Sequence, residues 1–185
     1  DDYLDYDIDG KGLNASNAPE EGNTYSALEH AWDEGFGYFG AAIDYNAYTD
    51  DEIAWKGGRD DWGKGYHDTD KDGKIDLTTE MNFGHSQNAA KRDRGNSGTD
   101  LTKEAFDAFL TGRQIIHDAN QEELSPEQLV ALQSESDKVI LAWEKAIGAT
   151  VIHYIIDVVG FLNLSKIVKP VASIAIHPLL IVSPA

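Results

Sequence analysis

Between Ser125 and Val159 the chain carries a helical signal that leaves little freedom in its fold class. Ser125-Pro126-Glu127-Gln128 places a capping hydroxyl, an N1 proline and a capping-box Gln in order. Leu129, Leu132, Ser136, Val139, Ile140, Trp143, Ile147, Val151 and Ile155 then recur at helical spacing, which predicts one long helix reaching about Val159. The predicted class is therefore mainly α, a helical bundle, with a long irregular insert that carries a calcium loop.

Two more long helices are expected beside it. The first spans about 24–41, capped by Asn23 or Ser26, and Ser26-x-x-Glu29 matches a capping box. Leu28, Ala31, Trp32, Phe36 and Phe39 supply its apolar stripe. Gly35, Gly37 and Gly40 each weaken that helix by about 1 kcal/mol relative to Ala, so they mark a close approach of another backbone or of a ligand. The second spans about 101–119, capped by Asp100 or Thr99, with Leu101, Ala105, Phe109 and Ile116 on its buried face. A short helix is expected at 86–93 after Ser86, ended by the Asn96-Ser97-Gly98 break.

The chain thus divides into an acidic, partly ordered arm (1–23), a helical domain (24–159) with an insert (42–85), and an apolar tail (160–185) of uncertain status. Residues 158–185 contain two Lys, three Pro and no Asp or Glu. The abrupt composition change after Asp157 fits strands, a partner-binding or self-association segment, or a change of reading frame. Lys166, Lys169, Pro170 and Pro178 interrupt the stretch, so no membrane span is expected.

The insert holds the most specific chemistry, Asp68-Thr69-Asp70-Lys71-Asp72-Gly73-Lys74-Ile75-Asp76. Carboxylates at alternate positions converge on one hard cation. Gly73 permits the sharp turn, Lys74 offers its carbonyl, and Asp76 fills the ninth position. An EF-hand wants Glu at position twelve, but Thr79 stands there and Glu80 comes one residue late. The loop belongs to a broader DxDxDGxxD class, with Ca2+ as its ion, and competes with a reading as a solvated acidic turn. Asp5-x-Asp7-x-Asp9-Gly10 is a weaker copy, with Leu13 at its ninth position.

A second candidate centre is helical. His30 shares a face with Asp33 and Glu34, and His153 with Asp157, so a bundle could aim both sets at one cavity holding Fe or Zn. The bland alternative is a pair of i,i+4 contacts on helix surfaces. His67 and His85 flank the Asp loop as extra ligands or ordinary loop histidines. Lys91-Arg92-Asp93-Arg94 is a basic cluster suited to an anion or to the chain's own carboxylates, a role Arg113 can share. Trp55 and Trp62, with Arg59 and Asp60 nearby, are the aromatic ligand-contact candidates, joined by Tyr66 and Phe83. Trp32 and Trp143 sit in helical stripes and read as core.

The formal charge is −18, which repels phosphate backbones and argues against nucleic-acid binding. There is no cysteine, which excludes disulfides and thiolate zinc sites. No P-loop, nucleophile elbow, dinucleotide fingerprint or HExxH motif occurs. Weak Asp loops fit millimolar extracellular calcium. Asp1 opens the chain without Met, as after signal-peptide removal or trimming. The expected location is extracellular, at the cell surface or in the periplasm.

Leu28-Glu-His30-Ala-Trp32-Asp33-Glu34-Gly-Phe36-Gly-Tyr-Phe39-Gly40, Asn82-Phe-Gly-His85-Ser…Ala89-Ala-Lys91-Arg-Asp93-Arg94 and Glu104-Ala-Phe-Asp-Ala-Phe-Leu110-x-Gly112-Arg113 together give a distinctive set. Over about 10–157 the chain resembles a bacterial family labelled domain of unknown function 4856, whose members look like exported lipoproteins. More distantly it is similar to imelysin-like proteins, helical, exported and associated with iron uptake, whose hallmark is GxHxxE. That resemblance implies His30 at the His position and Asp33 at the Glu position, with Leu28 replacing the Gly. The leading expectation is an exported metal- or ligand-binding protein with a structural calcium loop, iron-related in its sharper form. The alternatives are a metal-dependent hydrolase and a structural surface or filament component.

Overall fold

The structure is a computed structural model that describes residues 3–19, 21–54, 67–95 and 97–176, with side chains described as far as residue 162. Five α-helices lie in these segments: α1 (Ala27–Phe39), α2 (Asp50–Ala54), α3 (His85–Asp93), α4 (Leu101–Asp118) and α5 (Pro126–Ile176). Short 3-10 turns form at Gly12–Asn14 and Tyr45–Ala47, and no strand is present among the described residues. The protein is mainly α, as its periodicity requires. Two compact units divide it, Asp1–Ile147 and Gly148–Ala185.

In the first unit α1 begins as its capping box dictates. Ser26 Oγ accepts from Glu29 N, and Ser26 N donates to the Glu29 carboxylate. The helix stops at Gly40, whose φ of 79° is left-handed. The stripe of α1 packs on α4 through Trp32. The indole N–H donates to the Phe109 carbonyl at 3.0 Å, and its ring lies over Gly112. A Cβ on Gly112 would stand 2.0 Å from Trp32 Cζ2. Phe36, Phe39 and Phe109 complete this centre with edge-on and tilted ring contacts.

Leu101, Ala105, Phe109 and Ile116 of α4 are buried, as expected. Asp100, one of the two expected residues, holds the N-cap position, but its side chain makes no capping bond. The Asp93 carboxylate at the end of α3 accepts from Thr102 N at 2.8 Å and from Thr99 Oγ1 at 2.7 Å. A carboxylate beside those unpaired N–H groups also faces the positive end of the helix. The nominal basic cluster 91–94 therefore hides a buried acid that joins α3 to α4.

Two expectations about the helical domain's surroundings are corrected. The insert is irregular in part, but its first stretch is core: Ala42, Tyr45, Ile53 and Ala54 are buried, and α2 packs against α3. Tyr45 donates its hydroxyl to the Ser86 carbonyl at 2.7 Å. Ser86 does not cap α3, since Gly84 holds the N-cap position. Its hydroxyl lies instead 2.8 Å from the Gly40 carbonyl and ties α3 to the end of α1. The acidic arm is likewise no solvated tail. Leu4 and Leu13 are buried, and the Leu4 carbonyl accepts from Ser136 Oγ. Gly35 makes room for this contact, because a Cβ there would press on Leu4 at 2.9 Å.

The long helix α5 starts with the predicted box, Ser125 N to Gln128 Oε1 at 3.0 Å and Gln128 N to Ser125 Oγ at 3.2 Å. Leu132, Ser136, Val139, Ala142 and Ala146 form its buried stripe. Ile147, Val151 and Ile155, assigned to that stripe by periodicity, are exposed. The helix does not end near Val159 but continues to Ile176, so residues 158–176 are helix rather than strand. The expectation of no membrane span is overturned. Within Pro126–Leu162 one window of mean hydropathy 1.5 is long and apolar enough to cross a membrane, and only 6% of it is buried. Lys166, Lys169, Pro170 and Pro178 all lie beyond it in sequence, so they do not interrupt it.

Gly112→Ala should destabilise the first unit by about 1–3 kcal/mol, because the methyl has no space under a fixed indole. Denaturant unfolding followed by Trp fluorescence checks this. Asp93→Ala should cost about 1–2 kcal/mol through the lost cap, and Asp93→Asn should recover part of it. An Asp93→Ala variant with wild-type stability would contradict the capping role.

Candidate metal centre

Residues 67–84 return from the surface to α3, and the Asp loop lies within them. Its tight geometry comes from left-handed backbone at Lys71 (φ 63°) and Gly73 (φ 76°). Open space surrounds the position of a Gly73 Cβ, so glycine is needed there for its backbone conformation and not for clearance.

Asp68 folds over the turn, accepting from Asp72 N at 3.1 Å and Gly73 N at 3.0 Å. Asp70 Oδ1 also accepts from Asp72 N. Glu80, the residue one place late for an EF-hand, is the hub. It is 1% exposed, and its two oxygens divide the loop between them. Oε1 accepts from Thr69 N at 2.6 Å and from Thr69 Oγ1 at 2.9 Å, and Oε2 accepts from Asp76 N at 3.0 Å. The N–H of Asp76, followed by burial in opposition and by the Thr69 donors, holds the Glu80 carboxyl below its ordinary range.

Asp68, Asp70 and Glu80 each bring a carboxylate oxygen into one group, with no two of these atoms more than 4.8 Å apart. Donors at 2.3–2.6 Å from one Ca2+ can be separated by about that distance. The donor set is all hard oxygen. Asp72, Lys74 and Asp76 stand outside this three-way group. Asp72 Oδ1 accepts from Lys74 N at 2.7 Å, with Lys74 Nζ 3.5 Å from Oδ2. Asp76 Oδ1 accepts from Thr78 N and Oγ1, and the Thr78 hydroxyl leads in lowering the Asp76 carboxyl.

The second candidate set is not gathered in this way. His30 Nε2 lies 3.4 Å from Glu34 Oε1 on an exposed face. Asp33 turns to Arg113, whose guanidinium spans Asp33 Oδ1 and Glu29 Oε1 at 3.0 Å each. The acid three residues after His30 is thus committed to a cation. In the second unit His153 and Asp157 form their own exposed i,i+4 pair at 3.4 Å. Among the described residues, the group of three possible metal donors is Asp68, Asp70 and Glu80.

The flanking histidines pack. His67 stacks on Tyr48 with ring centres 3.8 Å apart, and its Nδ1 lies 2.6 Å from Asp44 Oδ2. His85 tilts against Trp143, and burial lowers its pKa. With Tyr3, Tyr38, Ile140 and Trp143 it lines an apolar cavity of about 470 Å3 in the first unit. Arg94 pairs with Asp51 at 2.6 Å, as expected of a basic residue in so acidic a chain. Trp32 is core, Trp143 is partly buried against Phe39, and Phe83 is exposed. Trp55, Arg59, Asp60, Trp62 and Tyr66 lie outside the described residues. In the arm, Asp5 Oδ1 accepts from Asp7 N, a local turn contact.

Asn82 was not anticipated. Buried at the end of the loop, it accepts from Ala42 N at 2.8 Å and so closes the insert on itself. A lone Asn among Met81 and Phe83 gives no sequence pattern that would reveal this role. No family model, curated protein or solved structure matches this chain.

The depressed Glu80 carboxyl has a definite pH consequence. Its stabilising contribution is fully present above the unfolded-state value near 4.5 and is lost as pH falls through the lower folded value. Glu80→Gln should weaken the loop at neutral pH and flatten the acid limb below about 4.5. Hydrogen exchange at Thr69 and Asp76, measured against pH, checks both effects.

Proposed function

We propose that this is a metal-binding helical protein whose ion is Ca2+, held by Asp68, Asp70 and Glu80. The single observation that supports the reading is the convergence of three carboxylates around a buried Glu80, in a loop whose spacing already suggests a cation. Hard, all-oxygen donors favour Ca2+ over Fe or Zn, which draw on imidazole or thiolate.

The ion's role in this reading is structural. Glu80 sits directly before the segment that enters α3, and its carbonyl accepts from Tyr48 at 3.3 Å. Neutralising the clustered carboxylates would therefore steady the stretch between the calcium loop and the helical core. Low-affinity oxygen sites of this kind suit compartments where calcium is millimolar, so the proposed location is outside the cell or in the periplasm. The chain's acidity is compatible with that role but identifies no partner.

Calcium titrated into metal-free protein should bind by calorimetry and raise Tm. At a hundredfold excess over Kd the expected stabilisation is about 2.7 kcal/mol. Asp70→Ala should abolish both signals, while Asp157→Asn should leave them unchanged. Unaltered melting with no heat of binding would overturn the proposal.

A further inference from the structure

We infer that the C-terminal half of α5 spans a lipid bilayer, with the hydrocarbon interior as its partner. The buried stripe of α5 ends at Ala146. From Val151 to Leu162 every residue is exposed. These are mostly large and apolar, among them Ile152, Ile155, Ile156, Val159, Phe161 and Leu162. At 3.6 residues per turn, twelve consecutive residues point in every direction around the axis. A soluble helix meant for one protein partner keeps a polar side. Here His153, Tyr154 and Asp157 share one strip of about 100°, and the rest of the circumference is apolar, which fits acyl chains around most of the helix better than a single docking face. A helix lying flat at the membrane surface uses a polar face rich in Lys and Arg, and residues 151–162 contain neither.

Length and charge agree. Residues 147–165 lie between the last buried position and Lys166, and nineteen residues at 1.5 Å each extend about 28 Å, against a hydrocarbon core of about 30 Å. Lys145, which lies 3.5 Å from Glu104, and Lys166 bracket the segment in sequence. Within it the one formally charged residue is Asp157, and His153 lies one turn away at 3.4 Å. Ionisable groups inside a bilayer are tolerated when paired in this manner. The His–Asp spacing thus gains a role unrelated to metal binding.

The test uses the full chain, purified in detergent and reconstituted into phosphatidylcholine–phosphatidylglycerol vesicles. It should float with the vesicles and remain after an alkaline carbonate wash, and proteinase K should leave a protected fragment covering 147–165. The pair Ile152→Asp and Val158→Asp should reduce carbonate-resistant protein at least tenfold, while Ile152→Leu with Val158→Leu retains it. The near-UV signal of the tryptophans, all four of which lie in residues 1–147, reports the fold of the first unit in each variant. Extraction of the wild type by carbonate, or absence of the protected fragment, overturns the span whatever the variants do. Recovery of the wild type from the aqueous phase, as monomer or as a self-associated species, does the same. Asp70→Ala should float like the wild type, so failure here is separable from failure of calcium binding.

Discussion

The contact of the Trp32 indole with Gly112 governs how the first unit is assembled. It brings α1 and α4 closer than any side chain on α4 would permit, and the indole N–H fixes the position by bonding to the Phe109 carbonyl. Once that approach is set, Phe36, Phe39 and Phe109 have defined partners, and Phe39 reaches Trp143 on α5 with ring centres 5.6 Å apart. Close packing then turns one small residue into a constraint on three helices. The other connections, Ser86 to Gly40 and Asp93 to α4, act at the ends of helices whose crossing has already been decided.

The Asp loop solves a different problem with similar economy of residues. Its backbone N–H groups have no regular secondary structure to pair with, and the buried Glu80 carboxylate needs donors. Glu80 supplies two oxygens for two stretches of the turn, Thr69–Asp70 and Asp76, which fixes the carboxylate in the middle of the loop. Asp68 and Asp70 are turned toward it by their own contacts to Asp72 and Gly73. The same bonds that make the loop rigid therefore preorganise its negative charge. Any cation bound there meets a site whose ordering has already taken place.

Much of the helical layout could be read from the sequence, because capping boxes and apolar spacing are local signals. Ser26-Glu29 and Ser125-Gln128 form as their spacing requires, and Leu101, Ala105, Phe109 and Ile116 face inward. What escaped depends on distant partners. The Asp93 carboxylate serves a helix that begins after it, and Asn82 serves Ala42 across the whole insert. The buried stripe of α5 reads too long in the sequence because Ile147, Val151 and Ile155 keep the helical period after the covering residues have ended. Periodicity reports the shape of a helix but not what lies against it. At the candidate centre, the conspicuous residues were the alternating aspartates, whereas the residue that organises them is a glutamate one place out of register. His30 and Asp33 share a helical face, yet the structure gives Asp33 to Arg113.

The arm's attachment has a consequence for the order of events during synthesis. Leu4 is buried against Gly35, and its carbonyl is bonded to Ser136 Oγ, 132 positions later in the chain. Tyr6 likewise donates its hydroxyl to Asp137. On the ribosome the arm emerges before these partners, which are made only when most of the first unit has already left the tunnel. Helices α1 to α4 can begin to collapse while the arm waits, and its closure is among the last steps. The arm is thus a late seal on the fold of the first unit, and the quality of that seal reports whether translation has passed residue 137.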